Sequence, residues 1–379
     1  MGGDCARARV ARRYITLAPQ TTGKDGGREA QKFKRVASEV LALTVVSMSP
    51  LANRGVPPDG LTFAWGRGRH GVLGTGSADE EADVPIAVPR TVGGALTGRR
   101  LSQICCGELH TLALTADAGA VFSWGSGLMG ALGHGGRANE LVPRRVEGVP
   151  FATQLAAGKH HSAALCPDAG GAVFTWGWDG WEGSTCTKSP VRLGHLAEGS
   201  GRQIAAGAFH LAVLTRSDGV VSSGGGVVQA GVLRDAGIVQ VCAGLRHTAA
   251  LAADAHVYTW THGALSPADG QRSPSAQSRM QTTANTPLRC GWLGGSLRLS
   301  CGGDYTFAVL PGPDGARVIR WQHIGAPDGA TPLTTRDPRE AGEVNVPGAE
   351  KVIAGGGYAI VMLADGGAVC LAAGGSASA

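Results

Sequence analysis

The sequence predicts an all-β fold: a seven-bladed β-propeller built from units of ~50 residues, with a short basic arm in front. Three observations predict it. One ten-residue phrase is written six times along the chain. A second phrase follows each copy after an acidic turn, and in four of the six it is marked by tryptophan. Glycine, at 61 of 379 residues, is spread along the chain rather than clustered, as many short strands joined by tight turns require.

The repeated phrase reads "CCGELHTLAL" at 105–114, then "AAGKHHSAAL" at 156–165, "AAGAFHLAVL" at 205–214 and "CAGLRHTAAL" at 242–251. Two looser copies, "CGGDYTFAVL" and "AGGGYAIVML", begin at Cys301 and Ala354. Aligned on glycine, they give G-x-x-H/Y at Gly107/His110, Gly158/His161, Gly207/His210, Gly244/His247, Gly302/Tyr305 and Gly355/Tyr358. Successive His/Tyr positions lie 51, 49, 37, 58 and 53 residues apart. Units this small cannot bury their own faces and must stack; closing them into a ring leaves no exposed end unit.

Each apolar run leads into an acidic turn at Asp117, Asp168, Asp218, Asp254, Asp314 or Asp365, usually with glycine within two residues. Asp-Gly between two β-rich runs signals a hairpin, because tight hairpin turns need positive φ. These aspartates are therefore read as turn formers rather than catalytic carboxylates. The second strand ends at Trp65, Trp124, Trp176, Trp260 or Trp321, with Ser223 and Leu371 at that place in two degraded units. Seven such positions imply seven units. The upstream partner of Trp65 is read as a worn copy in "VASEVLALTVV" (36–46), with Ser38 for the glycine and Leu41 for the histidine.

Two units continue with a glycine-rich loop, "WGRGRHGVLGTG" (65–76) and "WGSGLMGALGHG" (124–135). A Pro-x-x-apolar step then enters the next unit, at Pro85/Val88, Pro143/Val146 and Pro190/Leu193. The propeller is expected to span 36–379, with polar exposed loops at about 265–287 and 325–347.

The order G-x-x-H-T-x-A-L, V-F-x-W-G, G-x-L-G-x-G, P-x-x-V resembles the repeat of the regulator of chromosome condensation family. That resemblance implies a seven-bladed propeller with about one repeat per blade. It also implies a range of roles: exchange factors for a Ran-type small GTPase, chromatin-binding members, ubiquitin-ligase-linked members and a plant ultraviolet receptor. The receptor branch is marked by G-W-R-H-T; the residues after glycine here are Glu108, Lys159, Ala208, Leu245, Gly303 and Gly356, so that role is set aside.

A residue copied once per unit occupies an equivalent place on every blade, whereas a catalytic site needs one asymmetric cluster. The histidines are therefore read as struts that satisfy backbone or side-chain groups between blades. Tyrosine replaces them twice and is a poor substitute for a zinc-binding imidazole, and no second ligand stands at metal spacing. No G-x-x-x-x-G-K-[ST] loop and no G-x-S-x-G elbow is present. The expectation is a protein that is not an enzyme, with no cofactor and no metal.

The nine cysteines show no C-x-x-C spacing, and Cys106, Cys242 and Cys301 are read at small apolar positions where Ala157, Ala206 and Ala354 stand in neighbouring copies. A slot that accepts Ala or Cys suggests a packed free thiol and a reducing compartment. The net charge of +5 resides in the first 40 residues, which hold nine Lys/Arg against four acids. Arg7, Arg9, Arg12 and Arg13 head this arm (1–35), which reads as a disordered tail without a role of its own, as a contact to nucleic acid or chromatin through phosphates, or as a mitochondrial address. No apolar run reaches the ~20 residues of a membrane helix, so no membrane partner is expected.

In "WGWDGWEGSTC" (176–186), Trp178 and Trp181 stand where other units carry small residues, flanked by Asp179 and Glu182. Such tryptophans suit either a satellite cluster packing under its own loop or a protein-binding hot spot. The functional expectation is a monomeric protein-interaction platform of the cytoplasm or nucleus, binding its partner through loop faces. The alternative is an exchange factor for a Ran-type small GTPase, or a chromatin-associated regulator.

Overall fold

The computed structural model describes residues 44–48, 61–87, 95–96, 99–178, 186–194, 201–216, 219–223, 233, 236–261, 288–292, 298–312, 315–322, 342–346, 348–355, 358–364 and 368–372. Among the described residues the strands form seven antiparallel sheets, each following chain order. The first sheet holds β1 (Thr44–Met48), β2 (Leu61–Arg69) and β3 (Asp79–Ala87). The second holds β4 (Leu101–Cys106), β5 (His110–Thr115), β6 (Val121–Gly125) and β7 (Glu140–Arg145). The third holds β8 (Gln154–Ala157), β9 (His161–Cys166), β10 (Ala172–Gly177) and β11 (Thr187–Arg192). The fourth holds β12 (Gly201–Ala206), β13 (Leu211–Thr215) and β14 (Val220–Ser223). The fifth holds β15 (Ile238–Ala243), β16 (His247–Ala252), β17 (His256–Thr261) and β18 (Leu288–Trp292). The sixth holds β19 (Arg298–Gly302), β20 (Tyr305–Gly312), β21 (Gly315–Gln322) and β22 (Gly342–Asn345). The seventh holds β23 (Ala349–Ala354), β24 (Tyr358–Leu363) and β25 (Ala368–Ala372).

One register recurs in all seven. The residue after the repeated His/Tyr opposes the tryptophan position: Thr111 with Trp124, Ser162 with Trp176, Thr248 with Trp260 and Thr306 with Trp321. Ser223 and Leu371 take the tryptophan place opposite Leu211 and Ala359. The first sheet pairs Thr44 with Trp65, which corrects the alignment of the worn unit. Counting back one residue from Thr44 puts the histidine position at 43, two residues beyond Leu41. The alternating run "LALTVV" offers apolar residues at both 41 and 43, so sequence alone could not distinguish the two registers.

The polar stretch 325–347 is also shorter as a loop than expected. Gly342–Asn345 pairs with Arg317–Arg320 as β22, and Val346 is buried, because Val344 and Val346 alternate with polar residues. The stretch at 265–287 and the arm lie outside the described residues. Pro143 and Pro190 fall on β7 and β11, each paired on one side only among the described strands, where a missing N–H is tolerated.

The core is divided into layers between sheets. Leu112, Leu114, Leu155, Ala164 and Trp176 fill the joint between the second and third; Val352, Phe307, Val309, Val318 and Val361 fill that between the sixth and seventh. The first strands β4, β8, β12, β15, β19 and β23 pack on one another in that order. The result is a propeller with its first strands at the hub.

The glycine-rich loops are part of these joints. Trp124 Nε1 donates to the Val72 carbonyl (2.9 Å), and Trp176 Nε1 donates to the Ala131 carbonyl (2.8 Å), each in the preceding unit's loop. Gly74 (φ +72°) and Gly133 (φ +77°) lie against those indoles, where a Cβ would come within 2.8 and 3.0 Å of the ring. The motif G-x-L-G thus exists to seat the next unit's tryptophan.

Candidate functional site

The repeated histidines lie at the end of the hub where each G-x-x-H turn joins first and second strands. His110, His161, His210 and His247 are all buried. His110 Nε2 meets Ser162 Oγ, His210 Nε2 meets Thr248 Oγ1, and His247 Nε2 meets Thr306 Oγ1, each at 2.9 Å and each in the following sheet. Ser162 Oγ also bonds the Ala131 carbonyl (2.9 Å), and a carbonyl can only accept. The serine proton is therefore committed to Ala131, and His110 must donate through Nε2–H. Burial first, then the neighbouring His161, lowers the His110 pKa to about 3, so the ring is neutral.

The glycine three residues earlier is required by that ring. A Cβ on Gly107, Gly158, Gly207 or Gly244 would overlap both its own histidine ring and a carbonyl of the next sheet's turn. Among the described residues no group of three or more His, Cys, Asp or Glu is placed to hold a metal ion. The arrangement joins sheets; it offers no vacant ligand set.

The two residues between glycine and histidine escape this constraint and form the surface of that end. Their main chain is tied from sheet to sheet: Lys159 N–H donates to the Ala208 carbonyl (3.0 Å), Ala208 N–H to Gly244 (3.3 Å) and Leu245 N–H to Gly303 (2.6 Å). The side chains gather into one cluster. Lys159 Nζ lies 3.2 Å from Glu108 and 5.5 Å from the centre of the Phe209 ring. Trp178, whose N–H donates to the His160 carbonyl (2.8 Å), stacks on His160 (6.2 Å between rings) and meets Phe209 edge-on (6.4 Å). Leu245, on the next turn of this ring, is 38% exposed.

Electrically the cluster is close to balanced. Lys159 pairs with Glu108, and Arg246 faces Asp304. Burial raises the Asp304 pKa, with Arg246 opposing that rise. Burial also lowers the His160 pKa, with Glu108 raising and Lys159 lowering it more weakly. The opposite end carries the acidic turns. Asp117 is held below its usual pKa by turn N–H groups, its own first, and Asp254 Oδ1 accepts from the His256 N–H (3.1 Å).

Of the residues singled out in the sequence, Trp178 is half-buried in the cluster, whereas Asp179, Trp181 and Glu182 lie outside the described residues, as do Arg7, Arg9, Arg12 and Arg13. Trp124, Trp176 and Trp260 are buried between sheets, and Trp65 lies on β2. The partners of Trp178, namely His160 and Phe209, were missed, as was Lys159, which lies over Phe209. Their signal was variability: they fill the two slots of G-x-x-H that follow no rule from unit to unit.

A second set was also missed. Gln103 Nε2 donates to the Leu155 carbonyl (2.8 Å) while its Oε1 accepts the Leu155 N–H (2.8 Å). Gln154 does the same to Ile204, Gln203 to Val241 and Gln240 to Leu299. Each stands four residues before its glycine, a spacing readable in the sequence. In the sixth sheet a different residue, Ser300, two before its glycine, accepts the Ala354 N–H through Oγ (3.0 Å).

The expectation of free thiols throughout is corrected at one joint, where Cys242 and Cys301 form a disulfide. Cys242 lines up with Cys105, one residue before the slot of Cys106 and Cys301, so the two were not at one repeat position after all. Cys105, Cys106, Cys166 and Cys186 are not disulfide-bonded, and burial pushes the Cys105 pKa up to about 12.

Residues 59–114 and 118–165 match the model of the regulator of chromosome condensation (RCC1) repeat, and 101–131 matches a second model of that repeat. Among curated proteins, the chain is 30% identical over 311 residues to the probable E3 ubiquitin-protein ligase HERC6 of Homo sapiens, covering 79% of this chain and 26% of that protein. It is 32% identical over 229 residues to the ultraviolet-B receptor UVR8 of Arabidopsis thaliana, covering 60% of this chain and 43% of that one. The chain thus spans less than half of either relative. Among solved structures, Prp20p of Saccharomyces cerevisiae, described with its binding to Gsp1p and histones, superposes with a TM-score of 0.60 at 18% identity, covering 90% of this chain and 83% of that one. Human WBSCR16 superposes with a TM-score of 0.59 at 20% identity, covering 87% and 84%. These two likenesses concern the fold.

Proposed function

This chain belongs to the regulator of chromosome condensation repeat family, and on that premise we propose that it is a non-enzymatic protein-binding platform. Its contact surface is the G-x-x-H end of the hub, centred on Trp178, Phe209 and Lys159. The observation that carries this reading is the aromatic cluster itself. Half-buried aromatic rings on turns that are hydrogen-bonded to one another are already ordered, so a partner binds them with little loss of side-chain freedom. Because the charges around them are paired, the surface suits a protein segment bearing a bulky apolar side chain rather than a polyanion.

The test compares what wild type and Trp178→Ala/Phe209→Ala retain from a lysate of the source organism. Thermal unfolding of both proteins serves as the control for folding. Loss of specific proteins by the variant supports the face, whereas identical retention by a folded variant overturns it. A second reading, exchange on a Ran-type small GTPase, is favoured by the fold shared with Prp20p. It requires release of bound GDP from such a GTPase when the chain is added at catalytic amounts. The ligase activity for which HERC6 is named belongs to a protein four times the matched length, and we assign only the binding role to the part shared here. The arm at 1–35 is proposed to add salt-sensitive contact to nucleic acid, read out as binding lost on its removal.

A further inference from the structure

The joint between the fifth and sixth sheets carries a covalent tie as well as the histidine strut. Cys242 on β15 and Cys301 on β19 are both buried, their Cα atoms are 5.5 Å apart, and their sulfurs are bonded. The geometry follows from a one-residue offset. Neighbouring residues of a strand point to opposite faces. In the slot of Cys242, Cys105 directs its Sγ forward onto the Leu155 carbonyl of the next sheet (3.2 Å). Cys301 stands one position later in its repeat and therefore points backward. A forward-facing and a backward-facing cysteine on successive sheets meet; two cysteines in the same slot would not.

The bond lies under the contact surface. Cys301 Sγ is 3.5 Å from Thr306 Oγ1, which bonds His247 Nε2, and directly above this joint Leu245 N–H donates to the Gly303 carbonyl. We propose that Cys242 and Cys301 form a thiol–disulfide switch that sets the rigidity of the turns at 244–246 and 303–304. Oxidation removes two protons and two electrons from the thiol pair and forms the S–S bond. A low-molecular-weight disulfide such as oxidised glutathione accepts them and leaves as two thiols; excess reduced glutathione drives the reverse exchange. In the reduced state the joint is held by apolar packing of Leu251, Leu299 and Leu310 and by the His247–Thr306 bond. The switch does not depend on the binding role proposed above.

The experiment equilibrates the full chain in oxidised or reduced glutathione, quenches with acid, alkylates free thiols and maps peptides by mass spectrometry. Thermal unfolding is followed on the same samples. The expected result is a linked Cys242–Cys301 peptide pair in the oxidised buffer, alkylated thiols at both in the reduced buffer, and a Tm higher by roughly 5–10 °C when oxidised. The double variant Cys242→Ala/Cys301→Ala should fold, since Ala156 and Ala206 fill those slots elsewhere, and its Tm should be the same in both buffers. Alkylation of both thiols in the oxidised buffer overturns the proposal. So does an unchanged Tm despite linkage, or a redox-dependent Tm that survives in the double variant.

Discussion

At the scale of single residues, His110 shows how a polar side chain can serve a core. Its ring lies in a joint with 1% of its surface exposed, donates one hydrogen bond to Ser162 and stays neutral because burial lowers its pKa to about 3. The consequence for stability has a definite sign. As pH falls through 6.5 the unfolded chain takes up a proton at this residue, while the folded chain does so only near 3. Stability is therefore complete above 6.5 and declines below it, by about 2 kcal/mol from His110 alone at pH 5. Urea unfolding at pH 7 and pH 5 should show that loss, and His110→Gln should show a smaller one. The histidine's repetition was visible in the sequence; its acceptor was not, because Ser162 is 52 residues away and belongs to another sheet. Trp178 was likewise visible as an exception to the repeat, yet its contact with Phe209 depends on the order in which sheets become neighbours.

At the scale of elements, the glycine-rich loop separates two kinds of glycine. Gly133 and Gly148 have nearly the same φ, +77° and +80°, but a Cβ on Gly133 would press on the Trp176 indole whereas Gly148 faces open space. Gly148→Ala should cost about 1 kcal/mol of backbone strain, and Gly133→Ala should cost that plus about 1–3 kcal/mol of crowding. Chemical denaturation of the two variants measures the difference. The glutamines make a parallel case on the hub strands. Gln154→Leu removes two hydrogen bonds to Ile204 and leaves that residue's backbone groups unpaired between sheets, a loss of about 2–4 kcal/mol by the same measurement. Strand positions were legible from tryptophan and acidic-turn spacing. Register in the first unit was not, since Leu41 and Leu43 satisfy the same alternation, and the late strand at Gly342–Asn345 was hidden in a stretch whose composition is otherwise that of a loop.

At the scale of the whole molecule, stability resides in joints, each with its own small core, and the partner surface is a by-product of how those joints are closed. Salt should distinguish the two kinds of contact the chain offers. Binding through the Trp178–Phe209 face should change less than about twofold between 50 and 200 mM salt, because its charges are already paired, whereas contact through the arm should weaken by an order of magnitude or more. Titration of each captured partner at both salt concentrations decides which surface it uses. The glutamine contacts carry one more implication. Every one reaches in the same direction, from one unit to its successor, and every one lies on the innermost strand. Each of these units therefore holds its successor from the hub. In the fourth unit, where Ser223 takes the tryptophan place, Gln203 and His210 still grip the fifth. The rim of a unit fills the core of its joint, while the hub hands the grip on from one unit to the next like successive links.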